Sequence, residues 1–176
     1  MSKLLKVVLI GLPGSGKSTF GRQLAKELRF TFLDLDHLIE DKVGMKIPEI
    51  FAEFDEGVFR EWESQALKEV LDLEDSFVLA SGGGTPCFND NMDIINAKSV
   101  SVYLDVPLHK VSQRLQSAKG QQRPLFKGLD QGEITLKLKS LLVSREYFYN
   151  QAKIRLSGED FSAELLLVEL ISILKN

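Results

Sequence analysis

The sequence feature that most constrains this chain is the octapeptide GLPGSGKS at 11–18. It directly follows the apolar run at 7–10, and a helical pattern begins within it and extends over 17–28. A strand, a glycine-rich turn and a helix in this order leave the free N–H groups of the helix N-terminus facing outward. The order therefore predicts a βα unit whose turn binds an anion.

The spacing of this octapeptide, G-x-x-x-x-G-K-[ST], is that of a P-loop, which cradles the phosphates of a nucleoside triphosphate. Its glycines, Gly11 included, let the backbone approach a phosphate closely. Lys17 is expected to reach the β- and γ-phosphates of ATP, and the Ser18 hydroxyl to ligate Mg²⁺. The alternative is an ordinary glycine-rich turn that binds nothing. The predicted ATP-binding residues of this loop are Gly14, Ser15, Gly16, Lys17, Ser18 and Thr19.

Composition is that of an ordinary globular protein and excludes several classes of partner. The length of 176 residues suggests one domain, 1–176. A formal net charge of −3 offers no basic footprint for nucleic acid. The single cysteine, Cys87, suits a reducing compartment, and no apolar run approaches the roughly 18 residues of a membrane span. We therefore expect a cytoplasmic protein that binds neither nucleic acid nor membranes.

Short β-rich runs alternate with helical patterns along the chain. The predicted strands are 6–10, 31–34, 77–80, 99–104 and 154–156. The predicted helices are 17–28, 37–44, 47–54, 57–71, 90–96, 108–117, 134–152 and 162–174. This alternation predicts an α/β fold, a three-layer αβα sandwich around a five-stranded parallel sheet. Ligands of such sheets bind beyond the carboxyl ends of the strands, so the residues after each strand are the candidates for a site.

Two carboxylates, Asp34 and Asp36, close the second predicted strand. Because side chains two residues apart on a strand face the same side, both are expected to look into one cleft. Asp36 is then a candidate to orient or deprotonate a substrate hydroxyl, and Asp34 to hold Mg²⁺ through water. The alternative for Asp36 is structural, because it precedes the helical pattern at 37–43 and is a suitable N-cap residue.

Three consecutive glycines, Gly82, Gly83 and Gly84, follow the third predicted strand. Glycine loses much conformational entropy on folding, so a run of three favours a place where the backbone approaches a ligand closely. A plain flexible turn is the alternative. The strand itself lacks the Walker-B aspartate with which many P-loop enzymes hold Mg²⁺. A carboxylate from elsewhere has to serve, and Asp34 is the candidate.

Three arginines stand out by their sequence context. Arg60 has Glu63 three residues further along a helical pattern, so a local ion pair is the structural alternative to a ligand contact. Arg123 lies in a glycine-bounded stretch, 120–128, that predicts a closing loop suited to clamping a γ-phosphate; a solvated loop arginine is the alternative. Arg145 lies on a long helical pattern, where the alternative is an exposed charge.

Taken in order and spacing, these motifs resemble those of the shikimate kinases over nearly the whole chain. The pieces that carry the resemblance are GLPGSGKST at 11–19, LDLD at 33–36 with Ile39 and Glu40, IPEIF at 47–51, F-R-x-x-E at 59–63, GGG at 82–84, RPL at 123–125 and R-x-x-x-Y at 145–149. The resemblance implies a monomeric kinase that uses ATP and Mg²⁺ to phosphorylate the 3-hydroxyl of shikimate, on the pathway to chorismate and the aromatic amino acids. It also implies a P-loop NTPase fold of the nucleoside monophosphate kinase-like type.

The same resemblance implies roles for individual residues. The implied catalytic residues are Asp36, Lys17 and Arg123. The implied shikimate-binding residues are Asp36, Arg60, Glu63, Gly82, Gly83, Gly84 and Arg145. Arg114 and Arg123 join the P-loop in binding ATP, and Ser18 and Asp34 are implied at the metal. The helices over about 37–71 are expected to bind shikimate, and a lid is expected over about 116–130.

One segment departs from the family pattern, and two other functions compete. The segment 157–160 lacks the Arg/Asn/Pro-type adenine loop of relatives, so the family's usual contacts to the nucleotide base are not predicted there. Another small-metabolite P-loop kinase, such as a gluconate kinase, is one alternative, and the paired aspartates, the triple glycine and Arg60 argue against it. An inactive binding module is the other. Its mark would be the loss of Lys17, Asp36 or Arg123, and all three are present.

Overall fold

The computed structural model describes residues 4–117 and 124–175 of the chain. Its strands are β1 (Lys6–Ile10), β2 (Thr31–Asp34), β3 (Phe77–Ala80), β4 (Val100–Asp105) and β5 (Ile154–Ser157). Its helices are α1 (Lys17–Leu28), α2 (Leu35–Val43), α3 (Ile47–Glu53), α4 (Glu56–Leu71), α5 (Asn91–Lys98), α6 (Leu108–Gln116), α7 (Gln131–Tyr149) and α8 (Ala163–Lys175). Short 3-10 turns lie at Thr85–Cys87 and Pro124–Phe126. No helix within these described ranges is long and apolar enough to cross a membrane.

The five strands form one parallel sheet in the order β2-β3-β1-β4-β5. Strand β1 is central, and its Val7 lies opposite Val78 of β3 on one side and Val100 of β4 on the other. The chain fills one half of the sheet with β2 and β3 and then crosses to the other half. A reversal of this kind opens a crevice beyond the carboxyl ends of the strands. The fold therefore gathers the glycine loop and the ends of β2 and β3 around one site.

The two faces of the sheet bury different cores. Along β1, Val8 and Ile10 join one core while Val7 and Leu9 join the other, because successive strand side chains alternate between faces. The first core takes its helical side chains mainly from α4 and α7, with smaller contributions from α2, α3, α5 and α6, and the second from α1 and α8. Strands that are apolar on both faces are typical of a parallel sheet covered on both sides. The predicted three-layer α/β fold is confirmed.

The predicted boundaries hold to within three residues, with one consequential error after β2. Helix α2 begins at Leu35, so Asp36 lies in its first turn and not on the strand. Asp34 is the N-cap of this helix, because its carboxylate accepts a 3.2 Å hydrogen bond from the N–H of Asp36. The interpretation of Asp36 as the cap is therefore wrong. The strand-alternation argument that placed both carboxylates on one face is wrong for the same reason.

Candidate active site

The loop after β1 has the backbone that its glycine spacing predicts. Gly11, Gly14 and Gly16 have φ angles of +142°, +82° and +93°, in the region that residues with a side chain rarely adopt. Gly16 caps α1, whose first turn holds Ser18 and the exposed Thr19. The free N–H groups of that turn and the positive end of the helix dipole point at the space above the loop. This is the geometry of an anion-binding turn.

The side chain of Lys17 lies against this loop. Its ammonium donates hydrogen bonds to the carbonyl oxygens of Gly11 at 2.8 Å and Leu12 at 2.9 Å. The residue is only 8% exposed, and the buried Ser15 hydroxyl lies 3.5 Å from the ammonium. An ammonium is a compact, strongly hydrated charge, so carbonyl partners are needed to hold it out of water. The loop thus carries a positive charge beside its own N–H groups.

The ends of α1 and β2 meet at a serine–aspartate pair. The Ser18 hydroxyl donates a 2.7 Å hydrogen bond to the carboxylate of Asp34. A hydroxyl and a carboxylate are oxygen ligands of the kind that Mg²⁺ prefers, so the pair fits this ion. Within residues 4–117 and 124–175, no cluster of three or more His, Cys, Asp or Glu forms a metal site. Mg²⁺ at this place therefore needs water and phosphate for its remaining ligands, as it commonly does.

The three glycines at 82–84 are surrounded by the side chains that the sequence singles out. A Cβ on the first would lie 2.9 Å from Oε1 of Glu63 and 3.3 Å from Oδ1 of Asp36. A Cβ on the second would lie 3.1 Å from Nη1 of Arg145, and one on the third 2.7 Å from Nη2 of Arg60. None of the three has a positive φ, so glycine is needed here for space rather than for backbone conformation. The interpretation as a plain flexible turn does not account for this crowding.

Because consecutive Cα atoms are about 3.8 Å apart, the three glycines span at most about 7 Å. Two carboxylates and two guanidinium groups are therefore grouped on the scale of one small molecule. The loop after β1 closes the same space, since a Cβ on Gly83 would also lie 2.7 Å from Cδ of Pro13. The cleft thus brings a phosphate-type loop beside a cluster suited to a hydroxylated anion.

Arg60 reaches this cluster from α4 between two carboxylates. Its Nη1 donates to Glu63 at 2.7 Å, and its Nε and Nη2 donate to Oε1 of Glu56 at 3.2 and 3.0 Å. The guanidinium also lies 4.2 Å from the ring centroid of Phe88, a cation–π contact. The local ion pair with Glu63 that the sequence suggests is therefore present. It also holds Arg60 against the glycine turn, so the two interpretations of this residue do not exclude each other.

Arg145 is buried on α7, so its interpretation as an exposed helical charge is wrong. The residue is 9% exposed, and its Nη1 is inaccessible to solvent with no hydrogen-bond partner among the described residues. A buried, charged donor that lacks a partner is costly, which points to an acceptor supplied by a ligand. The Tyr149 hydroxyl fixes α7 beside the cluster by donating to the carbonyl of Gly83 at 2.5 Å. Burial raises the pKa of Tyr149 well above its ordinary value, so the hydroxyl remains a donor.

Arg114 ties the phosphate-type loop to the segment after β5. Its Nη1 donates to the carbonyl of Ser15 at 3.2 Å, and its Nη2 donates to the carbonyl of Glu159 at 2.9 Å. The Glu159 carboxylate lies 3.1 Å from both Lys110 and His109, whose hydrogen bonds hold its pKa below the usual range. Helix α6 thus fixes the segment that departs from the family pattern.

One predicted site residue cannot be placed. Arg123 and the stretch 118–123 lie outside the described residues, together with that part of the predicted lid over 116–130. The described residues resume at the 3-10 turn Pro124–Phe126, where Phe126 is fully buried in the core. The role of Arg123 stays a prediction from the sequence.

Sequence reasoning missed three residues that contact the pair formed by Arg60 and Glu63. Glu56 stands four residues before Arg60, a spacing that favours a helical ion pair and could have been recognised. Thr85 and Phe88 come from the segment after the glycine turn. No periodicity connects that segment to α4, so nothing in the sequence indicates these two contacts.

Comparison with known proteins agrees with this geometry. The family model described as shikimate kinase matches residues 13–175. A shikimate kinase of Parabacteroides distasonis is 40% identical over 164 residues, which cover 93% of this chain and 91% of the relative. The range matched by the family model therefore includes Lys17, Asp34, Asp36, Arg60, the glycines at 82–84 and Arg145.

Two solved structures have the same fold over almost their full length. A crystal structure of a shikimate kinase from Bacteroides thetaiotaomicron has a TM-score of 0.88 and 34% identity, and covers 99% of this chain and 100% of that one. A shikimate kinase from Acinetobacter baumannii in complex with shikimate has a TM-score of 0.84 and 33% identity, over 98% and 93% of the two chains.

Proposed function

Because this chain belongs to the shikimate kinase family and is an ATP-dependent kinase, we propose that its cleft transfers the γ-phosphate of ATP to the 3-hydroxyl of shikimate. The observation that carries the proposal is the buried, unpartnered Nη1 of Arg145 beside Gly83. A small movement of the guanidinium toward a bound carboxylate would give this donor its acceptor. Guanidinium groups bind carboxylates through paired N–H donors, so Arg145 and Arg60 suit the carboxylate of shikimate.

Asp36 is the group proposed to act on the acceptor hydroxyl. Its Oδ1 lies at the first glycine of the turn, while Arg60 lies at the third. An acceptor whose carboxylate contacts the arginines then extends its hydroxyls toward Asp36. There the carboxylate orients the 3-hydroxyl and accepts its proton as the oxygen attacks the γ-phosphorus.

The phosphate side needs positioning and charge neutralisation rather than covalent chemistry. Lys17 supplies positive charge to the β- and γ-phosphate oxygens, and the N–H groups of the loop bind them. Ser18 and Asp34 would hold Mg²⁺, which neutralises phosphate charge when bound. Arg114 borders the nucleotide side through its contacts with the loop and with the 157–160 segment.

The remaining expectations belong to the same proposal. Residues 1–176 act as one domain, in which about 37–71 bind shikimate and about 116–130 close over the phosphates with Arg123. The protein acts as a monomer in the cytoplasm, without nucleic-acid or membrane partners. The net charge of −3 supports the absence of a nucleic-acid partner, and the single cysteine supports a reducing compartment.

A coupled assay of ADP release tests the proposed function. With purified protein and Mg-ATP, we expect ADP release that depends on shikimate and produces shikimate 3-phosphate. Lys17→Met serves as the inactive control, since it removes the charge from the loop. ADP release that depends on gluconate and not on shikimate would overturn the proposal. A rate of ADP release that is the same with and without either acid would also overturn it.

A further inference from the structure

Thr85 is the buried end of a chain of polar contacts that leads to the guanidinium of Arg60. The Thr85 hydroxyl donates a 2.6 Å hydrogen bond to Oε1 of Glu63. The other oxygen of that carboxylate accepts from Nη1 of Arg60 at 2.7 Å. Thr85 is fully buried and Glu63 is 1% exposed, so protein groups rather than bulk water set the carboxylate's orientation. Hydrogen bonds to an ionised group are among the strong ones.

The Thr85 hydroxyl is itself held at a fixed place. The Thr85 N–H donates to the carbonyl of Gly82 at 3.2 Å, and its carbonyl accepts from the side chain of Asn91 at 2.9 Å. Asn91 is fully buried and accepts a 2.9 Å hydrogen bond from the Ser64 hydroxyl. A β-branched side chain has few rotamers. The hydroxyl thus has a defined position relative to the glycine turn.

Arg60 is held at the same time by two carboxylates in different surroundings. Glu63 is buried beside the glycine turn, whereas the Glu56 side chain is 60% exposed. If Glu63 loses the hydroxyl that holds its second oxygen, its carboxylate can turn, and Arg60 can follow Glu56 toward solvent. The Thr85 hydroxyl therefore favours the position in which Arg60 lies against Gly84.

We propose that Thr85 is a positioning residue for the carboxylate of the acceptor. Acting through Glu63, it fixes Arg60 where the substrate carboxylate binds. This inference rests on the proposed function and deepens it, because it adds a specificity-determining residue that no sequence motif marks. A hydroxyl that only stabilises the fold would affect all substrates alike, and that difference provides the test.

The first measurement compares two substitutions of Thr85. Thr85→Val keeps the shape of the side chain and removes the hydroxyl. Thr85→Ser keeps the hydroxyl and removes the methyl group. Ser101→Ala is the matched control, since it removes a fully buried hydroxyl from β4. We expect the KM for shikimate to rise about tenfold in Thr85→Val and to return close to the wild-type value in Thr85→Ser. The KM for ATP and kcat should not change, and Ser101→Ala should leave all three constants unchanged.

The second measurement uses the carboxamide of shikimate as a neutral acceptor. Arg60 has no anion to bind in this analogue, so Thr85→Val should lower kcat/KM for the carboxamide far less than for shikimate. An equal loss for both acceptors would assign Thr85 to general stability and overturn the inference. Thr85→Ala is measured in parallel and carries the same test if the valine variant does not fold.

These outcomes separate the two proposals. If the wild-type protein releases no ADP with shikimate, the proposed function fails. If the wild-type protein is active and Thr85→Val keeps its KM for shikimate, only the inference about Thr85 fails.

Discussion

The hydroxyl of Ser18 and the carboxylate of Asp34 share a 2.7 Å hydrogen bond that joins the first turn of α1 to the end of β2. We expect Asp34→Asn to raise the Mg²⁺ concentration for half-maximal activity by about tenfold, because it removes the charge next to the serine ligand. Asparagine is also a good N-cap, so α2 should remain intact. The measurement is a Mg²⁺ titration of ADP release. An unchanged midpoint would exclude Asp34 from the metal site.

Asp36→Asn should abolish the chemical step while leaving nucleotide binding intact. Loss of a positioned base or orienting carboxylate lowers kcat by roughly 10²- to 10⁴-fold. The check is kcat from the coupled assay, together with the affinity for ATP from calorimetry. Asp41→Asn, at an exposed position of the same helix, is the control and should keep wild-type kcat. A variant at position 36 with normal kcat contradicts the proposed role.

Arg145→Lys should weaken binding of shikimate more than it slows turnover. Lysine keeps the charge but lacks the planar guanidinium group, whose Nη1 has no hydrogen-bond partner among the described residues. Losing one charged hydrogen bond corresponds to roughly a 10- to 100-fold rise in KM. Arg155→Lys alters an exposed pair with Asp105 and should leave the KM unchanged. Equal effects of the two lysine substitutions would refute a special role for Arg145.

Gly83→Ala should damage the acceptor site even though it adds a single methyl group. The new Cβ would lie 2.7 Å from Cδ of Pro13 and 3.1 Å from Nη1 of Arg145, so the turn or the arginine must move. A displacement of a few tenths of an ångström should raise the KM for shikimate by about tenfold. Gly132→Ala, in the first turn of α7, is the control and should leave the KM unaltered. A wild-type KM for shikimate in the Gly83 variant would show that the crowding around this glycine does not matter for substrate binding.

Burial of Cys87 predicts a pH dependence of stability in alkaline solution. Burial raises the pKa of its thiol from 9.0 to about 11, against the lowering effect of the nearby Arg145 and Arg60. Between these two pH values the unfolded chain has lost the thiol proton while the folded chain retains it. The free energy of unfolding should therefore fall as the pH rises from about 9 to about 11.

Urea unfolding of the wild type and of Cys87→Ala across this range isolates the contribution of the thiol. Other groups titrate in both proteins, so the informative quantity is the difference between their slopes. The wild type should lose stability faster with rising pH. Parallel slopes would mean that the thiol titrates normally in the folded protein.

Sequence reasoning succeeded where local chemistry determines structure and failed where the chain turns or packs. The glycine spacing before Lys17 predicts the loop, because positive φ angles are a local requirement. The placement of Asp36 failed because the N-cap bond of Asp34 starts helix α2 at Leu35, so strand alternation does not extend to Asp36. The burial of Arg145 was left open, since the alternation of charged and apolar residues along α7 does not reveal which side chain faces Gly83. No sequence pattern predicts the hydrogen bond of Thr85, because its partner Glu63 comes from a different helix.

The central position of β1 affects the order in which the protein folds during its synthesis on the ribosome. Val7 of β1 pairs with Val78 of β3 and Val100 of β4. Both neighbours of this strand therefore exist only after more than half of the chain has been translated. Long-range parallel pairing of this kind is slow to form. The nucleotide pocket thus matures only after β4 has been made, although its motif is among the first parts of the chain to be translated. A nascent chain stalled before β4 should not be retained on immobilised ATP.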